Sequence, residues 1–154
     1  MRRAMSIQEI PELVMRWCAQ LGFDVEAKFE KSGNEVLFPN RMSLTGSDAF
    51  YLLSGKPQAL DSLQFLLHEA QGERDDSRLV YLDAQGTRLF RMHELVAMAN
   101  MAAQKARETG SYVFASLTPK ERRWVHLTIR DQSDLETQSE GLGAVKSLKV
   151  IRKV

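Results

Sequence analysis

Thr118-Pro119-Lys120-Glu121-Arg122-Arg123-Trp124-Val125-His126-Leu127 is the stretch from which the rest of the chain can be read. A threonine cap, a proline at the first helical position and a glutamate three residues after the cap predict a helix starting here. With Arg122 placed at zero and about 100° per residue, His126 falls near 40°, Arg130 near 80° and Arg123 near 100°. Those four share one face. Trp124, Val125, Leu127 and Ile129 occupy the remainder, so one side suits a core and the other is compactly cationic. Arginine presents a planar fork matched to phosphate oxygens, and a histidine one turn away adds a donor and a flat ring. Lys120 lies at the positive end of the same helix, beside backbone donors that also favour anions. On pattern alone a solvated amphipathic helix whose His126 satisfies a local carbonyl or carboxylate is the commoner explanation; residue types leave both open.

Downstream, Leu135 to Glu140 alternates, Gly141-Leu142-Gly143 turns, and Ser147 to Lys153 is extended and basic, which predicts a closing hairpin. Upstream, Tyr112 to Leu117 reads as a strand. Arg88 to Glu108 contains neither Gly nor Pro and reads as a helix with Leu89, Met92, Val96, Ala99, Ala103 and Ala106 on one face. Before the turn at Gly86 the pattern differs. Ser6 to Glu9 has capping-box spacing and opens a helix that ends near Gly22, with Pro11 near its start. Val25 to Phe29 alternates, Ser32-Gly33-Asn34 has turn chemistry, and Glu35 to Phe38 resumes an extended pattern, with room to continue past Pro39, as an interrupted or edge second strand. A short helix over Ala49 to Leu53, a turn at Ser54 to Pro57, a helix from Leu60 to about Gly72 and a strand at Arg78 to Leu82 complete this half.

With 154 residues, net charge +1 and 44% hydrophobic positions, the composition excludes wholesale disorder. No run approaches the roughly 18 apolar residues of a spanning helix, so membrane insertion is not expected. The basic start has no apolar segment behind it and does not read as a signal peptide. One cysteine, Cys18, permits no internal disulfide, and a cytoplasmic location is expected. The charge is unevenly shared: residues 1–86 hold 9 Lys/Arg and 13 Asp/Glu, net −4, while residues 87–154 hold 12 and 7, net +5. A polyanion would therefore be drawn to the C-terminal half. His68-Glu69 and His93-Glu94 lack a second histidine at metal-site spacing, and no phosphate loop, dinucleotide fingerprint or nucleophile elbow occurs. No enzyme activity, cofactor or metal is expected.

The Thr118 to Leu127 segment, followed by Leu135-Glu136-Thr137-Gln138-Ser139-Glu140-Gly141, resembles the Arg-x3-His (R3H) domain of the bacterial Jag, or SpoIIIJ-associated, family. Leu52-Leu53-Ser54-Gly55-Lys56 with Gln58 to Leu66 is similar to the glycine loop and following helix of that family's KH domain. The resemblance covers nearly the whole chain from about residue 6, without the further N-terminal Jag domain of many relatives. It implies an α+β chain: a type II KH-like domain over 1–86, in the order α-β-β-α-α-β, followed by a small R3H α/β domain over 87–154. The implied activity is that of a cytoplasmic, non-catalytic RNA-binding regulator.

The glycine loop departs from the family pattern. KH loops read G-x-x-G, which lets two helix ends approach a nucleic-acid backbone. Here Gly55-Lys56-Pro57-Gln58 lacks the second glycine, and Pro57 lacks an amide donor. With the acidic balance of this half, the expectation is that Gly55 and Lys56 are remnants of a site. Binding of single-stranded RNA, or single-stranded DNA, is then expected from Lys120, Arg122, Arg123, His126 and Arg130. The alternative is an adaptor whose KH half docks a partner protein or a second copy. Ser139-Glu140-Gly141 either turns the chain or brings a glutamate to orient Arg122.

Overall fold

Ser6 caps a 3-10 turn at Ile7–Glu9 through a reciprocal capping box with Glu9, and the chain continues into α1 (Ile10–Gln20) with Pro11 in its first turn. The computed structural model describes residues 3, 5–55 and 58–154. They fall into two units, Met1–Leu89 and Phe90–Val154.

In the first unit, β1 (Glu26–Phe29) pairs antiparallel with β2 (Arg41–Thr45), and β2 pairs parallel with β3 (Tyr81–Ala84), giving the sheet order β1-β2-β3. Between β2 and β3 lie a 3-10 helix at Ala49–Leu53, α2 (Ala59–Gln71) ending on left-handed Gly72, and a 3-10 turn at Asp76–Arg78. The order is the helix-strand-strand-helix-helix-strand expected from the residues. One element moves. Glu35 to Phe38 is not the second strand, because Asn34 accepts the amides of Leu37 through Oδ1 (3.1 Å) and Phe38 through its carbonyl (2.9 Å), winding Val36-Leu37-Phe38 into a turn. The strand starts two residues after Pro39, whose missing N–H could not join the ladder. Ile10, Val14 and Cys18 of α1 pack with Met42 and Leu44 of β2 and Leu60, Leu63 and Leu67 of α2 in one core.

α2 also closes the outer edge of β3 with side chains. Gln71 accepts the Val80 amide (3.1 Å) and donates to the Arg78 carbonyl (3.2 Å). Gln64 donates to the Val80 carbonyl (2.8 Å) and accepts the Leu82 amide (2.7 Å), while Arg88 donates to the Leu82 carbonyl (3.0 Å). A row of backbone groups that an edge strand would offer to another strand or to a base is thus engaged internally.

α3 (Thr87–Thr109) opens at Asp83, which is fully buried and accepts the amides of Arg88 (2.8 Å) and Leu89 (3.2 Å) and the Nε–H of Arg41 (2.8 Å). Those bonds tie the first residues of α3 to the first unit, so the division falls at Leu89, three residues after the turn at Gly86.

In the second unit, β4 (Ser111–Leu117), α4 (Pro119–Ile129), β5 (Leu135–Glu140) and β6 (Lys146–Arg152) follow α3. β6 is central in an antiparallel sheet of order β4-β6-β5, with an irregularity between Phe114 and Leu117. Met92, Leu95, Ala99, Ala102, Ala103 and Ala106 form the buried face of α3; Trp124, Val125 and Ile129 form that of α4; Phe114, Leu135, Leu148 and Val150 are buried on the sheet. The architecture is mixed α+β. Among the described residues no helix is long and apolar enough to cross a membrane.

Candidate functional site

α4 begins as its sequence dictates. Thr118 Oγ1 accepts the Glu121 amide (3.3 Å), and Glu121 Oε2 accepts the Thr118 amide (2.9 Å). The other oxygen of Glu121 accepts Arg91 Nε–H (2.9 Å), fastening this helix start to α3. Burying Trp124, Val125 and Ile129 fixes the helix's rotation, and Arg123, His126 and Arg130 are exposed as a consequence.

His126 is held in place. Its Nδ1 lies 2.7 Å from Thr137 Oγ1 on β5, so whichever partner donates, the ring is pinned and Nε2 remains for an outside partner. β5 is one of the two outer strands of its sheet, paired with β6. Arg130 caps the C-terminus of α4, its amide bonded to the His126 carbonyl (2.9 Å), and its Nε is 3.7 Å from Asp131, too long for a good hydrogen bond.

Arg122 and Lys120 are turned to internal work. Arg122 Nη1 donates to the carbonyls of Leu117 (2.6 Å) and Ala144 (2.9 Å). These carbonyls, from the end of β4 and the β5–β6 loop, orient the guanidinium; the role considered for Glu140 is filled by them. The Lys120 ammonium is shielded from solvent and stands 5.4 Å from the centre of the Trp124 ring, a cation–π distance. In the first unit, Gly55 is exposed with φ +91°, a conformation suited to glycine. Lys56 and Pro57 lie outside the described residues.

Residue-type reasoning missed Thr137 as the partner of His126 and Ala144 as the partner of Arg122. The helical angles had a signal for the first: a histidine 40° from Arg122 must meet whatever strand flanks that face. Among the described residues no group of three His, Cys, Asp or Glu side chains is placed to hold a metal ion.

Residues 93–152 match the family profile described as R3H domain. Over 123 residues the chain is 26% identical to a protein of Clostridium symbiosum named RNA-binding protein KhpB, covering 79% of this chain and 54% of that protein. The chain thus spans about half the length of this relative.

Proposed function

We propose that the chain is a non-catalytic, single-stranded nucleic-acid-binding protein that takes RNA as its natural ligand and regulates it after transcription. It has an R3H unit led by α4 and a KH-like first unit, dividing between Gly86 and Leu89. The observation that carries this reading is the exposed row Arg123, His126 and Arg130, with His126 pinned by Thr137. It lies within residues 93–152, which match the R3H profile, and the relative named as RNA-binding supports the choice of ligand. Arg123 and Arg130 contact phosphates, and Nε2 of His126 meets a phosphate, a 2′-hydroxyl or a base. Arg122 and Lys120 frame the face from inside. The first unit contributes little grip, since the outer edge of β3 is closed by Gln64, Gln71 and Arg88 and the glycine loop lacks its second glycine.

The test is an amide chemical-shift titration of the whole chain with short single-stranded RNA and DNA. Shifts clustered on 122–130 and 135–140, larger for RNA, are expected; shifts confined to the first unit contradict the reading.

A second reading, a protein-docking adaptor, has one observation in its favour. Phe65 and Leu66, 64% and 52% exposed, adjoin on the outer face of α2. Its mark is a complex with a partner protein or second copy that persists at high salt, because apolar interfaces are far less salt-sensitive than phosphate contacts.

A further inference from the structure

The β5–β6 loop carries an apolar tip beside the cationic helix. Leu142 is 96% exposed and stands between Gly141 (φ +121°) and Gly143 (φ +82°). Both glycines hold backbone conformations that β-branched or bulky residues resist, so the loop has a defined shape that lifts Leu142 clear of the sheet. Nor does the loop float: Arg122 clamps it, donating from one nitrogen to Ala144 on the loop and to Leu117 at the end of β4. α4 therefore touches the β5 hairpin twice, at His126–Thr137 and Arg122–Ala144. One helical turn, about 6 Å, separates the two contacts on the helix. Lys146, whose side chain lies beside Gly141, brings a second cation to the loop's base. An exposed leucine at a tethered tip, with Val145 also exposed on the same loop, with cations at the loop's base and phosphate-type donors on the adjoining helix, has the chemistry of the apolar side chains that proteins insert between base steps of a duplex.

We propose that Leu142 packs against an unstacked nucleobase of the bound single strand, and that Arg122 is a positioning residue that holds this tip instead of a phosphate ligand. The proposal rests on the nucleic-acid-binding reading above. The base face is common to RNA and DNA, so both are tested.

The experiment is a fluorescence-anisotropy titration of 2-aminopurine-containing single-stranded RNA and DNA across a range of salt, with the intact chain, Leu142→Ala, Leu142→Asp, Arg122→Lys, Arg122→Ala and Arg123→Ala. Leu142→Ala is expected to weaken binding about 5-fold, as for partial burial of an aliphatic side chain, and to reduce the change in 2-aminopurine emission on binding. Leu142→Asp should weaken it further. Arg122→Ala should lose affinity with the slope of log Kd against log salt unchanged, whereas Arg123→Ala should lower that slope by about 0.7. Arg122→Lys, which reaches one carbonyl, should recover part of the emission change. A lowered slope for Arg122→Ala, or Leu142 variants equal to the wild type, overturns the proposal while leaving nucleic-acid binding in place. The Leu142 arm decides the matter if Arg122→Ala does not fold. No binding by the folded wild type at low salt overturns the nucleic-acid reading itself, and this proposal with it.

Discussion

Replacing Gln64, a polar residue on the buried face of α2, with alanine is expected to cost far more than the loss of one helix side chain. The Gln64 side chain is 9% exposed and holds two backbone groups of β3, the Val80 carbonyl at 2.8 Å and the Leu82 amide at 2.7 Å. Its oxygen also accepts from Arg88 Nη1 at 3.1 Å. Alanine removes donor and acceptor together and leaves both backbone groups buried under α2. An orphaned buried group costs about 1–3 kcal/mol, so the pair amounts to about 2–6 kcal/mol. Against a total stability of about 5–15 kcal/mol this is a large share. With a denaturant slope of about 1–3 kcal/mol/M for urea, the midpoint should fall by roughly 1–3 M. Urea unfolding followed through amide resonances of the first unit reads this directly, with Glu69→Ala on the exposed face of the same helix as control. Leu82 should also lose protection from amide exchange in the variant. A midpoint within 0.3 M of the control (about 0.5 kcal/mol on the same slope), with Leu82 still protected, would refute the reasoning that side chains close this edge.

Thr137→Val should leave folding within about 1 kcal/mol and weaken oligonucleotide binding several-fold, because His126 loses its pin; equal Kd values by anisotropy would remove Thr137 from the site. Asp83→Ala strips a fully buried carboxylate from Arg41 and from the start of α3, and a loss of about 3–5 kcal/mol in chemical denaturation is expected. Burial holds the Cys18 thiol above its ordinary pKa, so labelling by a disulfide reagent near neutral pH should be slow and rise with denaturant in step with unfolding of the first unit; fast labelling of the native protein would contradict the packing of α1. Thr118→Ala deletes the cap of α4 and should cost about 1 kcal/mol, measured as a shift in thermal midpoint.

The helix starts were the most legible features because their signals are local. Thr118-Pro119-Lys120-Glu121 and Ser6-Ile7-Gln8-Glu9 state their caps within four residues, and both capping boxes form. The β5–β6 hairpin was equally readable from alternation around Gly141 to Gly143. The Val36 to Phe38 run misled, since three apolar residues in a row look like a strand until the side chain of Asn34 is seen to wind them into a turn. Gln64 and Gln71 carried an unread signal: two glutamines seven apart on the face of Leu60, Leu63 and Leu67 are polar residues in a core register, which requires partners. The fate of Arg122 was not legible. Helical angles place it beside Arg123 and His126, but its destination depends on where the loop around Ala144 lies, twenty-two residues on.

Salt-dependent anisotropy of short single-stranded RNA and DNA with the wild type, Lys56→Ala and the double variant Arg123→Ala/Arg130→Ala tests the central claim most directly. The account predicts salt-sensitive binding, tighter for RNA, unchanged by Lys56→Ala and lowered in slope by about 1.4 in the double variant. Binding that survives the double variant with its slope intact, or that fails with Lys56→Ala, would contradict it.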